Sequence, residues 1–467
     1  MRVMFVDPGF GKNSFGTWGK SHWSTIINHG LCSISGYIKS KGYDNVYLLD
    51  IRRETSWKSV SSKVEEIAPD VVGITVRSCD VDMVDRITRI VKDQNRQPFV
   101  VIGGPHVVVP GAAEEMLKKS PIDCAVLGEG EITFFNILES LRRGVIPERI
   151  IRSQPIEDLL ALPFEDRYLY DYDKTVSLVN YPGIFKAPML TMIVTRGCFF
   201  NCGFCAPHSE NMFGKRVRYI SPQRTVEELC YWQEKIHFNS VKFYNSDYLA
   251  NSNWVESFCD LYKKEGFNQG IMVQARASSL VKYPHLLRRL KDINLQLILF
   301  GFESGSDNIL KFMQKESTRE INLKAAQICK EAGVTFGGSY MLGLPNETRE
   351  DVDQTVSLAM EINADFNSVS FFTPLPGTHL YDYCQRNNLS LIKSPEDLLN
   401  FSPEQPKIKG VDYEYARDGA SRIMSMKFGR SIILGKIFRF LYVHTKKYLW
   451  LRQRMVLIYS LFVKHLK

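Results

Sequence analysis

The sequence predicts an α/β protein in which a doubly wound, Rossmann-like parallel sheet precedes a partial (β/α)6 TIM-type barrel and a helical C-terminal tail. Two observations support this. Short apolar runs alternate with segments of helical periodicity in two separate series, and a proline-rich stretch lies between the series. The 467 residues also exceed what one hydrophobic core usually organises. We therefore expect units at 1–145, 146–187, 188–385 and 386–467.

The first series contains five strand candidates. They are RVMFV, NVYLLD, DVVGITV, FVVIGG and CAVLG. Sheets of this kind bind ligands at the carboxyl ends of their strands, so the loops after these runs are the candidate binding loops. Periodicity weakens between about Gly144 and Ala187, where prolines recur, and this indicates an interdomain linker.

The second series begins at Met189 and contains six strand candidates. They are LTMIVTR, SVKFYNS, GIMVQAR, LQLILFG, VTFGGSYML and SVSFFTP. Helix starts are indicated at Ser221, which precedes a proline, and at Thr318 and Thr348. Six strand–helix units favour a partial parallel barrel over a flat sheet.

The formal charge of +8 is concentrated at the C-terminal end. From Lys427 onward there are ten Lys and Arg and no Asp or Glu, and the rest of the chain has 49 basic against 51 acidic residues. A nucleic-acid footprint over the whole protein is therefore not expected. The sequence shows neither a secretory signal nor an apolar run of about 18 residues, so we expect a cytoplasmic protein that does not span a membrane.

The segment TRGCFFNCGFCAP, from Thr195 to Pro207, follows the first strand candidate of the second series. Its cysteines, Cys198, Cys202 and Cys205, have the spacing C-x-x-x-C-x-x-C. Three thiolates this close together can hold one face of an iron–sulfur cluster and leave one iron open. The alternatives are a structural zinc site, which normally takes four ligands, or three unrelated thiols.

At these residues the sequence resembles the radical SAM superfamily, whose motif has this spacing with an aromatic residue, here Phe204, before the last cysteine. The resemblance implies a 4Fe-4S cluster whose open iron is chelated by the amino and carboxylate groups of S-adenosyl-L-methionine (SAM). An electron from the reduced cluster would then cleave SAM to methionine and a 5'-deoxyadenosyl radical. It also implies an external electron donor of the flavodoxin or ferredoxin type.

Further segments match this family in order, at the ends of the predicted barrel strands. The resemblance implies that polar residues there bind SAM, with Arg276 placed to pair with its carboxylate. These residues are Asn245, Asp247, Gln274, Arg276, Glu303 and Ser304. The glycine-rich form usual after the second barrel strand is absent, so the resemblance implies a SAM contact there only for Asn245 and Asp247. The alternative at each position is that the residue belongs to a buried turn, or is a core polar group that is hydrogen-bonded within the protein.

The N-terminal part resembles the cobalamin-binding domain found ahead of many radical SAM barrels. The matches ITVRSCD, VIGGPH and VLGEGE follow the third, fourth and fifth predicted strands. Glycines at strand ends let the backbone approach a large flat ligand such as a corrin. The implied contacts are Ser78, Gly103, Gly104, Gly128, Glu129 and Gly130.

The loop after the first strand departs from the pattern of the best-known cobalamin domains. Those carry D-x-H-x-x-G with a cobalt-ligating histidine, whereas this chain has DPGFGK from Asp7 to Lys12. His22 lies further along the loop, where a lone histidine is usually solvated or capped. Two alternatives remain: cobalamin bound without a protein histidine, which the three matches favour, or a vestigial module. A nucleotide is disfavoured because no glycine-rich phosphate loop opens the first helix.

The segment from Phe428 to Lys467 combines apolar, aromatic and basic residues at helical spacing. This composition is typical of a helix lying in an anionic membrane surface, and equally of a helix capping the barrel. The membrane alternative implies peripheral contact with the membrane. It favours a lipid or lipid-linked substrate over a small metabolite.

Radical methylation of an unactivated carbon by way of methylcobalamin is the reaction this combination implies. Radical cyclisation, rearrangement or oxidation with cobalamin in another role is the alternative among enzymes. A corrinoid-binding or redox-sensing protein without turnover is the alternative of another class.

Overall fold

The computed structural model of the chain describes residues 1–11, 14–19, 25–172, 187–205, 213–214, 216–399 and 405–426. The expected basic tail and His22 lie outside these residues. Every helix within them is too short or too polar to cross a bilayer.

The first sheet contains six parallel strands, and its core strands are buried apolar runs. They are β1 (Val3–Asp7), β2 (Val46–Asp50), β3 (Val71–Thr75), β4 (Phe99–Gly103), β5 (Cys124–Leu127) and β6 (Ile150–Arg152), in the order β2-β1-β3-β4-β5-β6. The apolar runs of the sequence predicted the first five. They did not predict β6, which has only three residues and lies in the stretch interpreted as a linker.

Helices cover both faces of this sheet. They are α1 (His29–Ser40), α2 (Trp57–Ile67), α3 (Val81–Lys92), α4 (Ala112–Lys119) and α5 (Glu131–Arg142). Because side chains alternate along a strand, Val3 and Phe5 of β1 pack in the core that contains residues of α1 and α5, whereas Met4 and Val6 pack with residues of α2, α3 and α4. The predicted doubly wound arrangement is confirmed.

The second sheet is an open, parallel, barrel-like array of the six predicted strands. They are β7 (Met189–Met192), β10 (Ser240–Phe243), β11 (Gly270–Ala275), β12 (Leu295–Glu303), β13 (Phe336–Leu342) and β14 (Phe366–Phe371), in the order β14-β13-β12-β11-β10-β7. Two further strands of two residues each, β8 (Thr195–Arg196) and β9 (Arg218–Tyr219), form a separate antiparallel ribbon. The sequence pattern did not predict this ribbon.

Helices alternate with the barrel strands. They are α6 (Pro222–Ile236), α7 (Ser252–Lys264), α8 (Ala277–Lys282), α9 (His285–Lys291), α10 (Asp307–Phe312), α11 (Arg319–Ala332), α12 (Arg349–Ile362), α13 (His379–Arg386) and α14 (Tyr413–Ser425). The expected helix starts are confirmed, because the side chains of Ser221, Thr318 and Thr348 accept hydrogen bonds from the first turns of α6, α11 and α12. Helix α14 lies in the described part of the predicted C-terminal helical region.

Candidate active site

A cavity of about 390 Å³ lies where the carboxyl ends of the first sheet meet the start of the barrel. Its walls come from the strand ends and loops of β1, β3, β4 and β5, from the start of α1, and from the segment that follows β7. Five of the predicted cobalamin contacts are among the lining residues: Gly103, Gly104, Gly128, Glu129 and Gly130. The topology therefore brings loops that are far apart in sequence to one space, as expected for a parallel sheet.

Gly103 gives a direct test of whether this space suits a large ligand. A Cβ at this position would have Val126 O, 3.7 Å away, as its nearest neighbour, so no protein atom requires glycine there. Gly104, Gly128 and Gly130 differ, because a Cβ on any of them would collide with a neighbouring protein atom. Gly103 is thus a position on the cavity wall where no protein atom excludes further bulk, so the lining there leaves room for a ligand such as cobalamin.

Ser78 lies apart from this cavity lining. It begins a short 3-10 turn after β3, and its hydroxyl is 3.0 Å from Nδ1 of His106. Burial lowers the pKa of His106, which favours the neutral ring. The described contacts of Ser78 are therefore within the protein.

The loop after β1 contains a buried ion network at the position where other cobalamin domains carry histidine. The Asp7 carboxylate accepts hydrogen bonds from Gly9 N at 3.1 Å, Tyr170 Oη at 2.9 Å and Arg52 Nη2 at 3.2 Å. Burial alone would raise the pKa of Asp7, but the charges of Arg52 and Arg77 hold it below its ordinary value. Asp7 is thus held as a carboxylate that orders the loop.

The three cysteines of the motif lie on the loop that leaves β8. Cys198 and Cys202 are half-buried and Cys205 is exposed, so all three are accessible to a cluster. Cys259 and Cys329 are buried on helices, and burial raises the pKa of each to about 12. Within the described ranges no three His, Cys, Asp or Glu side chains converge on a single-ion site. The loop therefore offers three accessible thiols, a donor set that suits an iron–sulfur cluster.

Arg276 follows β11 and reaches the cysteine loop. Its Nη1 lies 3.2 Å from Cys202 Sγ, its guanidinium stacks on Phe200 at 3.6 Å from the ring centroid, and Nη2 donates to Lys315 O. Its buried Nε has no hydrogen-bond partner within the described chain. Because an unsatisfied buried donor is costly, this nitrogen is suited to an acceptor supplied by a ligand.

The other predicted SAM contacts form hydrogen bonds within the protein. Asp247 accepts from the backbone of Leu249 and Arg276 at 3.3 and 3.2 Å and from Ser279 Oγ, so it organises the loops after β10 and β11. Asn245 Oδ1 accepts from Val194 N at 3.4 Å. Gln274 is half-buried within β11. Asp247 and Asn245 thus support the strand ends that surround Arg276.

Glu303 is the last residue of β12, and Ser304 follows it. Glu303 pairs with Lys315 Nζ at 2.9 Å and has a φ of 64°, in the left-handed region that non-glycine residues seldom adopt. Ser304 is buried, and its hydroxyl is 3.1 Å from Thr355 Oγ1. Arg276 Nη2 contacts the Lys315 carbonyl, so Glu303 and Arg276 are linked through one residue.

A buried ion network joins the loop after β5 to the β8–β9 ribbon. Glu129 accepts from Arg196 Nη1 at 2.8 Å and from both terminal nitrogens of Arg218 at 2.8 and 2.9 Å. Glu131 accepts from Arg196 and from Ser33 Oγ. The sequence prediction included Glu129 as a cofactor contact but missed both arginines. Arg196 lies directly before the glycine and first cysteine of the motif, and this position is the sequence feature that could have identified it as a candidate.

His29 is a second feature that sequence reasoning missed. It begins α1 and lines the cavity, with Nδ1 2.7 Å from Glu165 Oε2 and Nε2 3.1 Å from Thr191 Oγ1 of β7. Arg167 also pairs with Glu165, at 3.1 Å. The interpreted linker therefore supplies charged residues that link the two sheets.

Comparisons with known proteins agree with this arrangement. Residues 192–359 match the family model described as the radical SAM superfamily, and residues 24–138 match the B12 binding domain. The first match contains the cysteine loop and β10 to β13, and the second contains the cavity-lining loops of the first sheet.

Two curated relatives align with most of the chain. An uncharacterized methyltransferase of Pyrococcus horikoshii is 28% identical, with 78% of this chain and 79% of the relative covered. An anaerobic magnesium-protoporphyrin IX monomethyl ester cyclase of Rubrivivax gelatinosus is 26% identical, with 82% and 69% covered.

A solved structure has the same fold. It is the radical S-adenosylmethionine methyltransferase TsrM from Kitasatospora setae with cobalamin and a [4Fe-4S] cluster bound, which matches with a TM-score of 0.62 at 16% identity over 85% of this chain and 80% of that chain. Together with the two family matches, the cysteine loop beside the cavity identifies the chain as an enzyme of the radical SAM superfamily with an N-terminal B12-binding domain, whose cofactors are a 4Fe-4S cluster, SAM and cobalamin.

Proposed function

We propose that this enzyme is a cobalamin-dependent methyltransferase that acts on an unactivated carbon. One observation carries the proposal: Thr195, Arg196 and Gly197 line the same cavity as the strand-end glycines of the B12-binding domain, and Cys198 follows them directly in the chain. The cluster loop and the cobalamin domain therefore border one space.

Two cofactors at one cavity suit a substrate carbon that lacks acidic hydrogen. No protein base reaches the pKa needed to deprotonate such a carbon, so polar methylation by SAM is excluded for it. When bound, the cluster with SAM supplies a hydrogen-abstracting radical, and cobalamin supplies a methyl group.

The residues of the chain have distinct roles in this proposal. Cys198, Cys202 and Cys205 hold the cluster, and Arg276 offers its unsatisfied Nε to the SAM carboxylate. The open position at Gly103 gives the corrin room. Asn245, Asp247, Gln274, Glu303 and Ser304 shape the SAM side, and the glycine loop of β5 shapes the cobalamin side.

Anaerobic turnover with a substrate deuterated at the reacting carbon tests the proposal. Deuterium should appear in 5'-deoxyadenosine, while S-adenosylhomocysteine and a product heavier by one methyl group accumulate in step with it. Two SAM molecules are then consumed per product. Deuterium transfer without methyl gain would eliminate methylation and favour cyclisation, rearrangement or oxidation, the alternative that similarity to the ester cyclase supports. Absence of 5'-deoxyadenosine would favour a corrinoid-binding or redox-sensing protein.

The substrate class and location form a further part of the proposal. The basic, aromatic segment 428–467 supports peripheral contact with an anionic membrane and a lipid-linked substrate, or else a cap on the barrel around a small molecule. Truncation at Lys427 separates these alternatives. Loss of binding to anionic vesicles with intact cluster assembly supports the membrane, and failure to fold supports the cap. Reduction by a flavodoxin or ferredoxin in place of dithionite tests the expected donor.

A further inference from the structure

The ion network between Arg196 and the loop after β5 spans the two parts of the molecule that carry the cofactors. Arg196 belongs to β8, two residues before Cys198, and Glu129 and Glu131 flank the cavity-lining Gly130. Arg196 is thus connected to the cysteine loop through its backbone and to the loop after β5 through its guanidinium.

The hydrogen bonds of this network fix the orientation of Arg196 as well as its distance from the loop after β5. Arg196 uses Nη1 for Glu129 and Nη2 for Glu131. Arg218 donates to Glu129 from both terminal nitrogens and also to the backbone carbonyls of Ile156 and Phe213. The register pairs Arg196 with Arg218 across the β8–β9 ribbon, so the ribbon presents both arginines together. Planar guanidiniums that bind two acceptors hold orientation as well as distance, which a lysine does not.

The four charged side chains of this network are largely shielded from solvent, so water competes little for their hydrogen bonds. The side chains of Glu129, Glu131, Arg218 and Arg196 are 1%, 4%, 8% and 19% exposed. Two cations face two carboxylates, so the charges within this set balance. A surface ion pair would hold its groups far more weakly.

The first cysteine cannot shift independently of this ribbon. Gly197, between Arg196 and Cys198, has a φ of 98°, and a Cβ on it would collide with the backbone carbonyl of Arg216. The short connection is therefore held against the approach to β9, and the position of Cys198 depends on where the ribbon docks.

We propose that Arg196 is a positioning residue that sets the separation between the iron–sulfur cluster and cobalamin by docking the β8–β9 ribbon onto Glu129 and Glu131. This rests on the proposed function for the placement of both cofactors. Arg196 acts through the backbone of the cysteine loop and needs no contact with substrate.

The test uses the full chain loaded with cluster and Co(II) cobalamin, and measures the dipolar interaction between the reduced cluster and Co(II) by pulsed electron paramagnetic resonance. The wild type should give one narrow separation. R196K keeps the charge but lacks the planar pair of donors that fixes the orientation towards both carboxylates, so it should give a broadened or longer separation with unchanged iron and cobalamin content. E131Q should do the same. R216K is the matched control, because Arg216 lies near the ribbon in an exposed pair with Glu157.

A chemical readout complements the distance. In R196K, methylated product per 5'-deoxyadenosine should fall by about a hundredfold, the scale expected for a misplacement near 1 Å, while R216K stays at the wild-type ratio. An unchanged separation in fully loaded R196K and E131Q would overturn the inference, and so would failure of both variants to assemble the cluster, which would assign the network to folding. A wild type that bound neither cofactor would instead overturn the proposed function.

Discussion

The guanidinium of Arg276 lies 3.2 Å from the sulfur of Cys202, although the two residues are 74 positions apart. The contact joins the end of β11 to the cysteine loop and places a buried donor beside a proposed cluster ligand. The sequence showed only that the cysteine motif and the segment with Arg276 occur in the order expected for the family. The contact shows that they are neighbours in the fold.

The first prediction concerns Arg276. Replacing it with Met should weaken SAM binding about ten- to a hundredfold, because a charged hydrogen bond to a carboxylate is worth roughly 1.5–3 kcal/mol, while cluster content is retained. Calorimetric titration of SAM into the reconstituted protein measures this. The exposed Arg288, changed to Met, is the control. Equal SAM affinity in R276M would contradict the assignment.

The second prediction concerns the cluster ligands. Cys198→Ala, Cys202→Ala and Cys205→Ala should each abolish the cluster's absorbance and its paramagnetic signal, because each removes one of three thiolates. Cys259→Ala and Cys329→Ala should retain both, since burial holds these thiols protonated. Iron and sulfide analysis supplies the measurement. Equal loss in the second pair would refute the ligand set.

The third prediction concerns the cavity at Gly103. Gly103→Leu should prevent cobalamin binding because the side chain extends into the open cradle, and Gly103→Ala should retain binding because its Cβ fits beside Val126 O. Absorbance after reconstitution and gel filtration reports bound cobalamin, and circular dichroism reports the fold. Wild-type binding in the leucine variant would place the cofactor elsewhere.

The fourth prediction concerns cobalt. The loop after β1 holds Asp7 in ion pairs and supplies no histidine before Gly11, so bound Co(II) should show no hyperfine splitting from a histidine nitrogen of the protein. Electron paramagnetic resonance of the bound Co(II) form measures this directly. A splitting that disappears in His22→Ala would instead make His22 the ligand.

The fifth prediction concerns pH and Glu131. Burial opposes ionisation, but the charge and hydrogen bond of Arg196 hold the pKa of Glu131 below its ordinary value of 4.5. Because the folded pKa is lowered, its stabilisation is complete above about pH 4.5 and is lost as the pH falls through the folded value. Glu131→Gln should therefore lower the free energy of unfolding by about 3–5 kcal/mol at pH 7.

The measurement is a set of urea unfolding curves for the wild type and Glu131→Gln at several pH values. The difference between them should narrow as the pH falls below 4.5. Glu157→Gln, in an exposed ion pair, is the control and should differ little from wild type at any pH. A constant difference across this range would show that Glu131 is not ionised in the fold.

The sequence by itself determined the strands of both sheets except β6 and the two-residue ribbon, and it determined the spacing of Cys198, Cys202 and Cys205. Apolar alternation and local cysteine spacing are properties of adjacent residues, so a linear pattern contains them. A three-residue edge strand such as β6 has too few residues to show a period.

Only the tertiary structure decided what the polar strand-end residues contact. It directs Glu129 to two arginines instead of leaving it free for a ligand, ties Ser78 to His106, and places Gly103 on the cavity wall. A parallel sheet brings together loops that are distant in the chain, and a buried charge must find its partner among them. The partner of Glu129 therefore depends on how the two sheets pack, which no local pattern encodes.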